Sequence, residues 1–136
     1  MKDVLVNKIT LIQRSLKRIH EEYDGHENEL ESNETKQDAI LLNLQRACES
    51  SIDIAAYLIK ENALGIPETS RNAFQLLINN KLIPPELGES LKKMVGFRNI
   101  AIHNYETVNL SIVKSILDNK LSDFEQFCQL ILEMNT

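Results

Sequence analysis

Arg98 and His103 stand five positions apart in Arg98-Asn99-Ile100-Ala101-Ile102-His103-Asn104-Tyr105, within an acid-free run from Ser90 to Tyr105. Imidazole titrates near neutral pH and moves a proton at modest cost. Guanidinium presents a planar fork of donors that matches phosphate oxygens. Together they suit metal-independent cleavage of a phosphodiester in RNA, whose own 2′-hydroxyl supplies the nucleophile. His103 would act as general base or acid, and Arg98 would stabilise the charge growing on phosphorus. On an unbroken helix, five residues separate two side chains by about 140° around the axis and about 7.5 Å along it. Either the helix ends before His103, or the site assembles across a dimer. The same spacing also fits a histidine over the last helical carbonyls, with an arginine paired inside a bundle.

The elements that must position this stretch read as helices. From Asp3 to Tyr23 the apolar residues Leu5, Ile9, Ile12, Leu16, Ile19 and Tyr23 step by four and three, a single helical stripe. An acidic connection follows from Asp24 to Thr35, with Gly25 ending the first helix and His26 solvated. Thr35 is the expected N-cap of a second helix running to about Asn62. That helix carries two apolar stripes, so it meets neighbours on more than one side. Arg46 falls in this apolar region and needs a partner, for which Glu49 is the local candidate. Gly65 and Pro67 stop the helix, Thr69 or Ser70 caps a short third one carrying Ala73, Phe74, Leu76 and Leu77, and Asn79-Asn80 ends it. Pro84-Pro85 opens the fourth.

On the fourth helix Leu87, Leu91, Met94, Val95, Arg98, Ala101 and Ile102 share one stripe, so Arg98 lies on the apolar face. A second stripe runs Lys92, Gly96, Asn99, His103, which lets the Asn99 amide orient the imidazole. Between Thr69 and Tyr105 the acids are Glu86 and Glu89, against Arg71, Lys81, Lys92, Lys93 and Arg98. Lys92 and Lys93 read as solvated. Asn109 caps a last helix with the stripe Val113, Ile116, Leu117, Leu121, Phe124, Phe127, Cys128 and Ile131. The expectation is an all-α, antiparallel bundle of four long helices and one short helix.

The bulk numbers agree with one such domain over residues 1–136. The net charge of −5 argues against nucleic-acid binding through global charge, so any such role uses a local basic patch. The two cysteines, Cys48 and Cys128, lack metal-ligand spacing and sit on apolar stripes, as buried reduced thiols do. The N-terminus has no signal-like apolar region. No apolar run approaches the ~20 residues that span a bilayer, which points to the cytoplasm.

Three blocks carry a resemblance over essentially the whole chain: Leu91 to Tyr105, Gly65 to Phe74, and Asn43 to Ile54. Their order and spacing resemble the HepT-like toxins of the HEPN superfamily. The resemblance implies an all-helical HEPN fold and a homodimer with a composite cleft. It implies a metal-independent endoribonuclease without cofactor, with Arg98 and His103 as its Arg-x4-His motif and Asn99 as the polar residue after the arginine. It further implies a minimal nucleotidyltransferase antitoxin as partner, one that adds AMP to Tyr105. Asn104 departs from the aspartate frequent at that position. The alternative is a non-catalytic helical module that scaffolds or neutralises the nucleotidyltransferase.

Overall fold

A computed structural model describes residues 3–103 and 108–134, with the side chains of residues 99–103 excepted. Six helices account for it: α1 (Asp3–Tyr23), α2 (Glu34–Glu61), α3 (Ser70–Asn79), α4 (Pro85–His103), α5 (Leu110–Asn119) and α6 (Leu121–Met134). Buried apolar residues from all six merge into one core, in which the Phe74 and Phe127 rings meet edge to face at 6.0 Å. Among the described residues no helix is long and apolar enough to cross a membrane.

Among the residues whose side chains are described, the expected helix stripes are buried or half-buried. Leu5, Ile9, Ile12, Leu16, Ile19 and Tyr23 of α1 are all buried. They face α2, which runs antiparallel: Lys8 reaches Asp53 at 2.8 Å, while Lys36 at the other end reaches Glu22 at 3.3 Å. The two α2 stripes are also buried, with Ile52 half-buried, and α2 packs against α1, α3 and α4. The link between α1 and α2 contains a 3-10 turn at Glu27–Glu29, and Leu30 beside it is buried.

Local signals differ from expectation in three places. Asn33, not Thr35, caps α2, its side chain accepting from the Lys36 amide. Asparagine is the stronger capping residue, so Glu34 and Thr35 enter the first turn. Beyond the Asn62 cap the left-handed residue is Ala63, at φ 51°, and Gly65 follows at φ 108°. The C-terminal stripe is divided into α5 and α6 at Lys120, where φ and ψ are −122° and −8°. Asn119, a weak helix former, sends its side-chain amide back to the Ser115 carbonyl at 3.2 Å. The buried residues of α5 and α6 on either side of this break join the same core.

The α3–α4 pair sets the register around the motif. Ile78 lies against Gly88, Gln75 against Lys92, and Arg71 against Gly96. Each step back along α3 advances α4, so the two helices run antiparallel. Gly88 is where they come closest, since a Cβ there would meet the Ile78 side chain.

Candidate active site

The fourth helix begins at Pro85, whose missing amide costs nothing in a first turn, and continues without interruption through His103. Leu87, Leu91, Met94 and Val95 bury its apolar face. Arg98 continues this face one turn beyond Met94. Its side chain is 22% exposed, and its Nη2 donates to Glu49 Oε1 of α2 at 3.2 Å. The aliphatic stem is thus packed while the charge stands at the edge of the core, the usual compromise for a long cation. Glu49 also accepts from the Gln45 amide at 3.2 Å.

Glu49 is the residue that sequence reasoning misassigned. It pairs with Arg98 rather than Arg46, and Arg46 is exposed. Asp53 is engaged by Lys8 across the α1–α2 seam. The available signal was the cost of an uncompensated guanidinium on an apolar stripe, which demanded an acid from a neighbouring helix. Beside Glu49, Cys48 is fully buried and its Sγ points to the Met94 carbonyl at 3.7 Å. Burial pushes its thiol up to about 12, with the Arg98 charge opposing only in part. Cys48 is therefore a packing residue, without thiolate at neutral pH.

The opposite flank of α4 faces α3. Lys92 is half-buried rather than solvated: its Nζ donates to Gln75 Oε1 at 2.6 Å and to Glu89 Oε1 at 3.2 Å. Lys93 is exposed, as expected. Arg71, near the start of α3, lies over Gly96, with its Cδ and Nε 4.0 Å from where a Cβ would stand. Thr69 caps α3 by accepting from the Asn72 amide at 3.0 Å. Thr69, Arg71, Asn72, Gln75 and Lys92 line an open depression of about 440 Å³. On the side toward α5, Met94, Phe97 and Ile112 line a separate apolar groove of about 320 Å³.

Asn99 and His103 are placed by their backbone on α4, and Tyr105 lies outside the described residues. Since α4 does not end before His103, positions 98 and 103 remain on different flanks of one helix, about 140° apart. Position 98 faces α2. Position 103 is seven residues from Gly96, about 20° from it around the axis, on the α3 flank. Among the described residues no three His, Cys, Asp or Glu side chains cluster as metal ligands.

The family model described as "Ribonuclease HepT-like" matches residues 12–131. The mRNA nuclease HepT of Shewanella oneidensis is 47% identical over 131 residues, 96% of this chain and 98% of that protein. Among solved structures, the tri-AMPylated Shewanella oneidensis HEPN toxin in complex with MNT antitoxin is 47% identical. It superposes at a TM-score of 0.93 over 98% of this chain and 99% of that one. A toxin–antitoxin structure with AMP-PNP is 46% identical at a TM-score of 0.91, over 96% and 99% of the two chains.

Proposed function

The chain belongs to the HepT-like ribonuclease family, and we propose from that premise that it is the endoribonuclease toxin of a toxin–antitoxin pair. The likeness to a nuclease and to HEPN toxins solved with their antitoxin supports this reading. Residues 1–136 act as one domain, in the cytoplasm, as a homodimer whose cleft combines residues of both protomers. The observation that carries the dimeric site is the unbroken α4: it keeps positions 98 and 103 apart within one chain. A two-fold axis beside the helix end would bring Arg98 of one protomer toward the partner's His103.

The chemistry needs no metal. One His103 accepts the proton of the RNA 2′-hydroxyl as its oxygen attacks phosphorus. The bond from phosphorus to the 5′-oxygen breaks, and that oxygen leaves with a proton from the second imidazole. The products are a 2′,3′-cyclic phosphate and a 5′-hydroxyl, so atoms and protons balance. Arg98 neutralises the added charge on the phosphorane oxygens, and Asn99, one turn before His103, orients the imidazole. The partner is a nucleotidyltransferase antitoxin that adds AMP to Tyr105. A phosphate adduct two residues from His103 would repel and obstruct the incoming RNA phosphate.

Purified protein should cleave RNA in the presence of a chelator. Arg98→Ala and His103→Ala should keep the wild-type circular dichroism and lose about 10²-fold or more in rate, and both should relieve growth inhibition. A His103→Ala protein cutting RNA at the wild-type rate would remove the catalytic assignment. If the chain alone were harmless and its nucleotidyltransferase toxic, the nuclease reading would give way to a neutralising module.

A further inference from the structure

Two of the arginines and lysines of the 69–105 span stand together, while Lys81, Lys93 and Arg98 lie elsewhere. The antiparallel α3–α4 register gathers Arg71 and Lys92 on one flank of α4, around the depression that Thr69, Asn72 and Gln75 complete. We propose that this depression is a phosphate-binding subsite for the RNA strand, adjoining the cleavage centre on the flank that carries position 103. The proposal rests on the ribonuclease reading above and names residues outside the Arg-x4-His motif.

Three observations carry it. The first is charge: among the described residues no acidic one lines the depression, in a chain of net charge −5. Glu89 does meet Lys92 at 3.2 Å, but it lies nearly a turn before Lys92, away from the His103 end. Glu68 is exposed and precedes the Thr69 cap. The second is shape and donor type. The floor holds Lys92, anchored by Gln75 at 2.6 Å, and the rim holds the exposed Arg71 guanidinium. A preset ammonium beside an exposed fork of donors suits a phosphodiester oxygen pair. The third is alignment. Lys92, Gly96, Asn99 and His103 share one stripe of α4, and Arg71 lies across that stripe at Gly96. The way from Gly96 to His103 is about 10.5 Å along the axis. A strand with one phosphate between Arg71 and Lys92 would therefore present a phosphate about two nucleotides further along near the end of α4.

The test uses full-length protein and a single-stranded RNA that the wild type cleaves. Arg71→Ala should raise KM about tenfold with kcat nearly unchanged, the loss of one charge-assisted contact. It should also lower the slope of log affinity against log salt by about 0.7, one phosphate contact on a single strand. Arg71→Lys should recover most of the affinity. Arg71 is exposed, so these variants should melt with the wild type. RNA binding by His103→Ala protein, with and without Arg71→Ala, reads the subsite apart from catalysis. If that pair binds RNA equally at every salt concentration, the subsite is overturned while the nuclease reading stands. If Arg71→Ala spares RNA affinity and instead weakens the complex with the nucleotidyltransferase, the face is a protein-docking surface and the proposal falls. If the wild type binds RNA without cleaving it, the nuclease reading falls, and a tenfold weaker Arg71→Ala complex still supports the subsite.

Discussion

The Arg98 guanidinium and the Glu49 carboxylate meet at 3.2 Å across the α2–α4 seam, 49 positions apart in the chain. Their side chains are 22% and 43% exposed, so the pair stands at the edge of the core, where it contributes little to stability and much to orientation. A carboxylate bound to the guanidinium limits the directions in which its planar fork can point. Glu49→Ala should therefore lower kcat about tenfold through misplacement of Arg98, with Glu49→Gln intermediate. KM should change little, and stability should fall by no more than about 1 kcal/mol. Steady-state kinetics and thermal melts measure both. An unchanged kcat in Glu49→Ala would mean that Glu49 does not orient Arg98.

A site shared between protomers has a genetic signature. Arg98→Ala and His103→Ala subunits, co-expressed with different tags and purified as the mixed dimer, retain one Arg98 and one His103 that face each other. That dimer should cleave RNA about tenfold or more above the His103→Ala homodimer, which keeps no imidazole, yet below the wild type, because only one of the two imidazoles of the mechanism remains. Activity no greater than that of the homodimers would return the site to a single chain.

Co-expression with the nucleotidyltransferase should add one or more AMP masses to the peptide containing Tyr105 and silence the nuclease. Intact-mass spectra and peptide mapping read this directly. A shift that survives Tyr105→Phe would move the modification to another residue.

Tyr23, Asp118 and Lys114 join the end of α1 to α5. The Tyr23 hydroxyl donates to Asp118 at 2.6 Å and accepts from Lys114 at 3.0 Å. The Tyr23 hydrogen bond holds the Asp118 carboxyl below its usual range and raises Lys114. Burial, then the Asp118 hydrogen bond, push the Tyr23 hydroxyl up. A lowered folded pKa stabilises above the unfolded carboxylate value, about 3.9, and that contribution fades as pH falls through the folded value. The raised Tyr23 and Lys114 contribute below their unfolded values, about 10 and 10.4, and are lost as pH rises through the folded ones. Tyr23→Phe should therefore lower the melting temperature at neutral pH and flatten both limbs of the stability profile, most visibly above about pH 10. Parallel wild-type and mutant profiles would show that the triad is not coupled to folding.

The sequence by itself determined the helices and their inner faces. Steps of three and four in α1, the prolines before α4 and the capping Thr69 and Asn109 are local signals, and each acts within a turn or two. It also determined which residue types stand at the end of α4, because a motif is a matter of spacing. Only the tertiary structure decided which helix supplies a partner to Arg98, that α4 stays helical through His103, and that Arg71 lies over Gly96. Glu49 was legible as an acid near Arg46, yet its partner is Arg98, since chain proximity says nothing about which faces meet when helices pack. The division at Lys120 was hidden because the apolar period continues across it, from Val113, Ile116 and Leu117 to Leu121, Phe124 and Phe127. Periodicity is written in neighbouring residues, whereas ion pairs and registers between helices are set by the burial of surfaces far apart in the chain.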